Sequence, residues 1–562
     1  MADFDAIVIG SGMSGGYAAK ELCERGLKTL VLERGKDIDP AEDYTDMMDP
    51  WEYKHLDRPD PQEAATDYPI QKDVYVFFDS TKHLWVKDSE HPYEVAPDTT
   101  YQWLRGYQVG GRSLLWARMS FRLSDYDFNA NLRDGVGVDW PIRYADLEPW
   151  YDRVEEFVGV AGEQHSIPQI PAGKFLPPFE MNAGEKWFKE RVESNHPERD
   201  FIIAPCANLR RTTEEHTALG RGACQVRNKC FRGCSFGAYY SSNSGSLPAA
   251  GNTGNLTLRP DSIVHSIEYD PETERATGVR VIDRVTKEAT TYTADIIFLN
   301  ASAINSAVIL LNSRSEAFPT GLANSSDQVG RNLMDHVAGA RLSGKINGLS
   351  DRYFYGNRPA VGYIPRYVNL DADDRPFKRG FAYQVYTERR GWSGDQPGLG
   401  QNFKLSNRTP DDWMITLDPY GEVLPYNDNR VTVSEAMVDA WGLPVARMSA
   451  THRDNERALL EAASREGLEM LQKAGVTDIE VSPVEPSTPG NRIHEMGTAR
   501  MGRDPATSVL NGWCQAHDVP NLFVTDGSAM TSSAVQNPSI TYMALSARAA
   551  NHAADLKEQG VL

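Results

Sequence analysis

Three of the chain's six cysteines, Cys224, Cys230 and Cys234, crowd into the run GACQVRNKCFRGCSFGA (222–238). Thiols at a C-x5-C-x3-C spacing have three chemical uses. A disulfide would leave one thiol over and sits badly with folding in a reducing compartment. Zinc takes four ligands, with gaps of about two to four residues between paired cysteines, so Cys206 or His216 would have to complete the set from an unfamiliar offset. An iron–sulfur cluster is held by thiolates, and a three-iron, four-sulfide cluster tolerates a missing fourth ligand. Spacing alone leaves these readings open. Chance clustering is unattractive with only six cysteines in 562 residues.

The second chemical signal lies at the N-terminus. VIGSGMSGG (8–16) places Gly10, Gly12 and Gly15 in a G-x-G-x-x-G pattern, with Ser14 inside it. Such glycines allow a tight turn and let backbone N–H groups approach a pyrophosphate at the positive end of a helix. Glu33, followed by Arg34, ends the next apolar run, where a carboxylate can accept hydrogen bonds from a ribose hydroxyl. The pattern suits either FAD or NAD. Its place at the start of the chain, without a second glycine fingerprint, favours FAD.

The elements that must position these groups can be read from hydrophobic periodicity. DAIVIG (5–10) predicts a buried strand, SGGYAAKELCERG (14–26) a helix and KTLVLERG (28–35) a second strand, a βαβ unit that starts a parallel sheet. Residues 36–100, rich in Asp, Pro and aromatics, predict a long irregular excursion. Helices are expected over 143–160, 182–195, 302–313 and 454–475, and strands over 255–270 and 276–302. Short strands between loops from about 340 suggest a second domain, 341–485, inserted between 1–340 and 486–562.

Composition narrows the function classes. With 40% apolar and 24% charged residues the chain is globular, and its net charge of −20 argues against a nucleic-acid partner. No apolar stretch reaches the roughly 18–20 residues of a membrane span. Cys23, Cys206 and Cys514 stand alone, as ordinary buried thiols do. MADFDAIVIG has neither a basic n-region nor a cleavable apolar segment, which predicts folding in the cytoplasm.

Four further stretches complete the picture: GYQVGGRSLLWARMSFR (106–122), VGRNLMDH (329–336), HEMGTARMG (494–502) and VTDGSAMTSSAVQNPSITYMAL (524–545). In this order, after the glycine motif, they resemble the glucose–methanol–choline family of FAD oxidoreductases. The resemblance implies an α/β, Rossmann-like FAD-binding domain, p-hydroxybenzoate-hydroxylase-like, with an inserted antiparallel-sheet substrate domain. It implies oxidation of an alcohol by hydride transfer to the flavin. His494 and Asn537 match the family's catalytic pair. An imidazole suits removal of the alcohol proton, and a neutral amide can steady the developing alkoxide. Gly110, Gly111, Arg112 and Ser113 fall on the flavin-contacting loop, and Asp526, Gly527, Asn537 and Ser539 on the closing strand–helix unit. Ser528 lies in the same turn. Some members attach flavin through a histidine just before the tryptophan of the second stretch; here that residue is Leu115, before Trp116, which predicts non-covalent FAD. His336 is expected to be structural.

The cysteine segment is similar to the cluster-binding segment of one subgroup, the catalytic subunits of bacterial sugar dehydrogenases. That likeness implies a [3Fe-4S] cluster on Cys224, Cys230 and Cys234 that passes electrons to an external acceptor such as cytochrome c. It also implies a small partner subunit that carries the export signal, by which a chain folded in the cytoplasm would reach the periplasm. Among sugar and glycoside substrates, the chain's length favours C3 of a glucoside, and Trp51, Tyr53 and Trp85 are candidates either to stack on a pyranose face or, equally, to be buried core aromatics. Two rivals remain. One is an oxygen-dependent, pyranose-oxidase-like sugar oxidase without a cluster; the other is a non-enzymatic flavoprotein.

Overall fold

The computed structural model describes residues 2–352, 359–371, 375–389, 398–406, 408 and 412–562. The β-branched run of the first strand, Phe4–Ile9, is buried from Ala6 onward and pairs in parallel with Thr29–Leu32 and Ala289–Leu299. Leu256–Arg259 extends the parallel sheet on one side, and Leu522–Val524 adds to it against Ala289–Leu299. Ala289–Leu299 has a double role. Its second half lies in the parallel sheet, while its first half pairs antiparallel with Arg275–Asp283, which pairs in turn with Ser262–Asp270.

The strands expected over 255–270 and 276–302 are each interrupted by local turn chemistry. Pro260 and Asp261, the latter at φ 53°, break the first. In the second, the Asp283 carboxylate accepts the Val285 and Thr286 amides and folds a turn. The helix after the glycine loop, Met13–Glu24, is covered by the C-terminal helix Ser539–Glu558, which also packs on Tyr144–Val158. Ala544, Ala547, Ala550 and Ala554 are fully buried in that closing helix, where small side chains permit close approach.

A second sheet is antiparallel, in the order Thr477–Val481, Leu342–Ile346, Trp413–Glu422, Phe381–Arg389, Gly362–Ile364 and Ile202–Ile203. His336–Ala338 also pairs with Trp413–Glu422. The helix Asp454–Ala474 covers this sheet together with Ala183–Asn195. Residues 341–485 supply five of its strands, and the flanking chain supplies the other two. A third, small sheet joins Arg430–Val438 and Pro444–Ser449 to Glu94–Val95. Residues 36–100 carry only short helical turns and this two-residue strand. No helix among the described residues is long and apolar enough to cross a membrane.

Candidate active site

A cavity of about 830 Å³ runs between the glycine loop and the face of the antiparallel sheet. Gly10 and Gly15 shape one end. Gly10 sits at φ 99°, and a side chain there would overlap the Asn300 carbonyl; one on Gly15 would overlap the Gly10 carbonyl. Gly12 instead faces open space, with the Gly110 carbonyl 4.0 Å away as the nearest atom to any added methyl. The helix N-terminus is therefore bare toward the cavity, as a dinucleotide phosphate requires. Gly15→Ala is expected to weaken FAD binding by at least roughly tenfold, equivalent to about 1.4 kcal/mol, from backbone strain; flavin fluorescence against added FAD measures it.

Glu33 lies beside this loop, buried. Its carboxylate accepts the Ser11 hydroxyl at 2.6 Å, the Ser11 amide at 3.1 Å and the Gly35 amide at 3.0 Å. Ser11 in turn accepts the Gly110 amide at 2.9 Å, so one carboxylate ties the two glycine loops together. Burial nonetheless pushes the Glu33 carboxyl above its usual range, against those bonds. Arg34 lines the same end, with its guanidinium 2.7 Å from Asp439 and 3.1 Å from His91. Ser14, Gly111, Ser113, Asp526, Gly527 and Ser539 also line the cavity, whereas Gly15 and Gly110 stand behind it. Asp526 is held by the Ser306 hydroxyl at 2.6 Å and the Ser528 amide at 2.9 Å. Arg112 makes a bidentate pair with Glu495, at 3.2 and 2.6 Å, which anchors the residue next to His494.

At the other end, His494 Nε2 lies 3.4 Å from Asn537 Nδ2, and His494 Nδ1 lies 3.0 Å from His336 Nδ1. The network assigns the protons. The Asn537 amide can only donate, so His494 Nε2 is unprotonated and its Nδ1–H donates to His336. His336 Nε2 then carries that ring's proton; among the described residues it makes no hydrogen bond, although the Ala534 backbone acts on the ring. Burial pushes His336 down to about 4, the Ala534 carbonyl opposing and Arg492 reinforcing the shift. Burial also drives His494 well below the ordinary histidine value, with His336, Arg112 and Arg492 adding to it. Both rings are neutral, and the His494 Nε2 lone pair faces Asn537 Nδ2 at the cavity wall.

Asp335 organises this corner. One carboxylate oxygen accepts the His336 amide at 2.7 Å and the His494 amide at 3.1 Å, and the other accepts the Arg492 amide at 3.0 Å. Burial, then the Glu495 charge, raises its carboxyl to about 7. Among the described residues, Asp335, His336 and His494 form the one group whose possible ligand atoms all lie within 4.8 Å of one another. The three backbone amides and the His–His bond already occupy those atoms, so the group reads as a hydrogen-bond network. The expectation that His336 is structural is thus refined: its ring fixes the tautomer of His494. The motif NLMDH was the available signal, but nothing in it links to residue 494.

All six cysteines are free thiols. Cys230 lines the cavity wall, while Cys224 and Cys234 lie behind it, near enough for all three to interact electrostatically. Their sulfurs do not all lie within 4.8 Å, whereas thiolates on one tetrahedral zinc sit roughly 3.8 Å apart. The segment is clamped by the irregular stretch 36–100. Buried Asp46 pairs with Arg227 and accepts the Ser235 hydroxyl at 2.5 Å, Lys229 donates to the Met48 carbonyl at 2.6 Å, and Arg232 pairs with Asp57. Cys206 lies close by, but burial raises its thiol to about 12 and keeps it protonated.

Of the aromatics proposed to stack on a sugar, only Trp85 reaches the cavity; Trp51 is 80% exposed on the surface, and Tyr53 packs under Arg232. Tyr75, from the same stretch, lines the cavity and meets Phe231 edge-on at 5.6 Å. Gln384, Tyr386, Asp418, Tyr420 and Arg492 supply polar groups to the same end.

Family profiles described as GMC oxidoreductase match residues 4–338 and 425–546. The fructose dehydrogenase large subunit of Gluconobacter japonicus is 29% identical over 99% of this chain and 98% of its own length. The gluconate 2-dehydrogenase flavoprotein of Pantoea cypripedii is 24% identical over 95% and 91%. Among solved structures, a formate oxidase of Aspergillus oryzae superposes with a TM-score of 0.62 over 100% of both chains at 15% identity, a likeness of fold.

Proposed function

The chain belongs to the GMC oxidoreductase family of FAD-dependent alcohol oxidoreductases, and on that premise we propose that it is a sugar or glycoside dehydrogenase whose electrons leave through a [3Fe-4S] cluster to an external acceptor such as cytochrome c. The observation that carries the reading is the His494–Asn537 pair, with Nε2 3.4 Å from Nδ2, in a cavity whose wall includes Cys230. In this reading, His494 Nε2 takes the proton of a secondary alcohol of the substrate. Asn537 donates a hydrogen bond to the oxygen as negative charge develops on it. His336 keeps the base in its productive tautomer, and the Arg112–Glu495 pair holds its position. FAD, when bound, supplies the hydride acceptor. Gly12, Glu33 and the loops around Gly111 and Asp526 would hold it, with no histidine at Leu115 to attach it.

Cys224, Cys230 and Cys234 would hold the cluster, which supplies one-electron transfer out of the protein. The three thiols are free, half-buried and near enough to interact electrostatically, yet more widely spread than a single-ion site allows. The polar groups around Tyr75 suit a hydroxyl-rich substrate, and C3 of a glucoside is the position proposed. A small, signal-carrying partner subunit belongs to the same proposal; the fructose dehydrogenase relative is itself named as a large subunit.

The test is anaerobic mixing with a panel of sugars and glycosides while the flavin absorbance is followed, with iron and acid-labile sulfide measured on the same preparation. Bleaching by a glycoside, with about three irons per chain, is the expected result. Stoichiometric peroxide in air would identify an oxidase, and no bleaching by any sugar a non-enzymatic flavoprotein. The pH profile of bleaching is also fixed in sign. A base acts only when neutral, and the folded protein holds His494 below the ordinary 6.5. The acid limb of the reduction rate is therefore expected below pH 6.5, and a limb at or above 6.5 would exclude His494 as the base.

A further inference from the structure

Arg118 is a buried cation with no counter-charge among its own contacts. Its side chain is almost wholly enclosed, and its backbone sits at φ 66°, a left-handed conformation that costs energy for any residue but glycine. The guanidinium lies between two aromatic faces, 5.3 Å from the Phe231 ring and 4.8 Å from the Tyr239 ring. Its hydrogen bonds are long, 3.5 Å to the Trp116 carbonyl and 3.4 Å to the Pro359 carbonyl, and its Nε has none. Among the described residues, no carboxylate oxygen lies within 4.0 Å of it.

The neighbouring cations are accounted for. Arg227 and Arg232 pair with Asp46 and Asp57. Arg221 is also buried without a carboxylate, but it donates to the Phe157 and Val158 carbonyls at the C-terminal, negative end of the helix Tyr144–Val158, and to the Gly237 carbonyl. Arg118 has no such terminus. A buried charge without a partner is strongly disfavoured, so an anion absent from the polypeptide's own carboxylates is called for. Geometry shows where it belongs. The Arg118 guanidinium lies over the ring of Phe231, the residue that follows Cys230, and Arg118, Cys230 and Phe231 share one wall of the cavity.

We propose that Arg118 is the fixed counter-cation of the thiolate-held cluster and sets its reduction potential from the cavity wall that it shares with Cys230. This rests on the cluster reading given above. One-electron reduction adds a negative charge beside the guanidinium, so a cation there favours the reduced form and raises the potential. The strained backbone and the two aromatic rings keep the charge in place, and its burial limits screening. Arg118 touches no reacting atom in this account and is a positioning residue.

The experiment compares wild type, Arg118→Met and Arg118→Lys in the flavin-loaded protein purified without oxygen. Iron and sulfide are measured, and the cluster is titrated with dithionite and mediators while its EPR signal is followed. Arg118→Met is expected to keep flavin and iron and to lower the midpoint potential by at least 59 mV, a tenfold change in the one-electron equilibrium. Arg118→Lys is expected to stay within half of that shift. Loss of iron in Arg118→Met alone, with iron kept in Arg118→Lys, also supports a requirement for charge. An unchanged potential in an iron-replete Arg118→Met, or loss of iron in both variants, overturns the proposal. So does a raised substrate KM with the potential unmoved, which would make Arg118 a substrate contact. Wild type without iron would refute the cluster itself and the proposal with it.

Discussion

His494→Ala is expected to lower the rate of anaerobic flavin reduction by roughly 10²- to 10⁴-fold, the range spanned by loss of a well-placed general base. FAD content and the visible spectrum should stay unchanged. The reason is geometric. His494 is buried, yet neither ring nitrogen stabilises the fold through a charge: Nδ1 meets neutral His336 at 3.0 Å, and Nε2 meets the Asn537 amide at 3.4 Å. The flavin end of the cavity is held by other bonds, among them Ser11 to Glu33 and Ser306 to Asp526. Removing the imidazole therefore takes away proton acceptance while leaving the cradle intact. Stopped-flow absorbance with the best substrate of the panel measures it. A rate within a few-fold of wild type would mean that the proton leaves by another route, with the buried Asp335 carboxyl, raised to about 7, the first alternative to examine.

Cys230→Ser should separate the two halves of the reaction. Turnover with cytochrome c is expected to fall by roughly a hundredfold, because on the proposed reading removing one of three thiolates would remove the cluster. Anaerobic bleaching of the flavin by substrate should continue close to the wild-type rate. Cys230 is the most informative of the three because it lies on the cavity wall, whereas Cys224 and Cys234 lie behind it. The surrounding segment does not depend on the thiol for its shape. It is pinned by Asp46 to Arg227 and Ser235, by Lys229 to the Met48 carbonyl and by Arg232 to Asp57. Loss of both half-reactions together would indicate a structural thiol. Unchanged turnover with cytochrome c would place the electron exit elsewhere.

These two variants draw on chemistry that stands out in the sequence. The residues that tune it do not. His336 is 158 positions from His494, and Asp46 is 181 positions from Arg227. No periodicity links such partners, because their contact is made only when the antiparallel sheet and the 36–100 stretch close over the cavity. Trp51 illustrates the converse. Its type suited sugar stacking, but it lies away from the cavity, while Tyr75 from the same stretch, also largely exposed, lines it. Aromatic type in an irregular segment says little about direction, because direction there is set by packing and not by a repeat.

What the sequence determined by itself is what local physics controls. Apolar β-branched runs, separated by a glycine turn and a helix, build a βαβ unit within about 35 residues, and the glycines at positions 10 and 15 are required by contacts inside that unit and with its neighbouring strand. The identities of His494, Asn537 and the three cysteines were likewise legible, since each sits in a dense motif. Tertiary structure alone decided how those groups are charged and oriented. Burial holds His494 neutral, His336 and Asn537 flank its two ring nitrogens, and the closure of distant segments leaves Arg118, with no carboxylate beside it among the described residues, on one cavity wall with Cys230. Desolvation and long-range pairing depend on which segments meet, and that is settled only when the whole chain has packed.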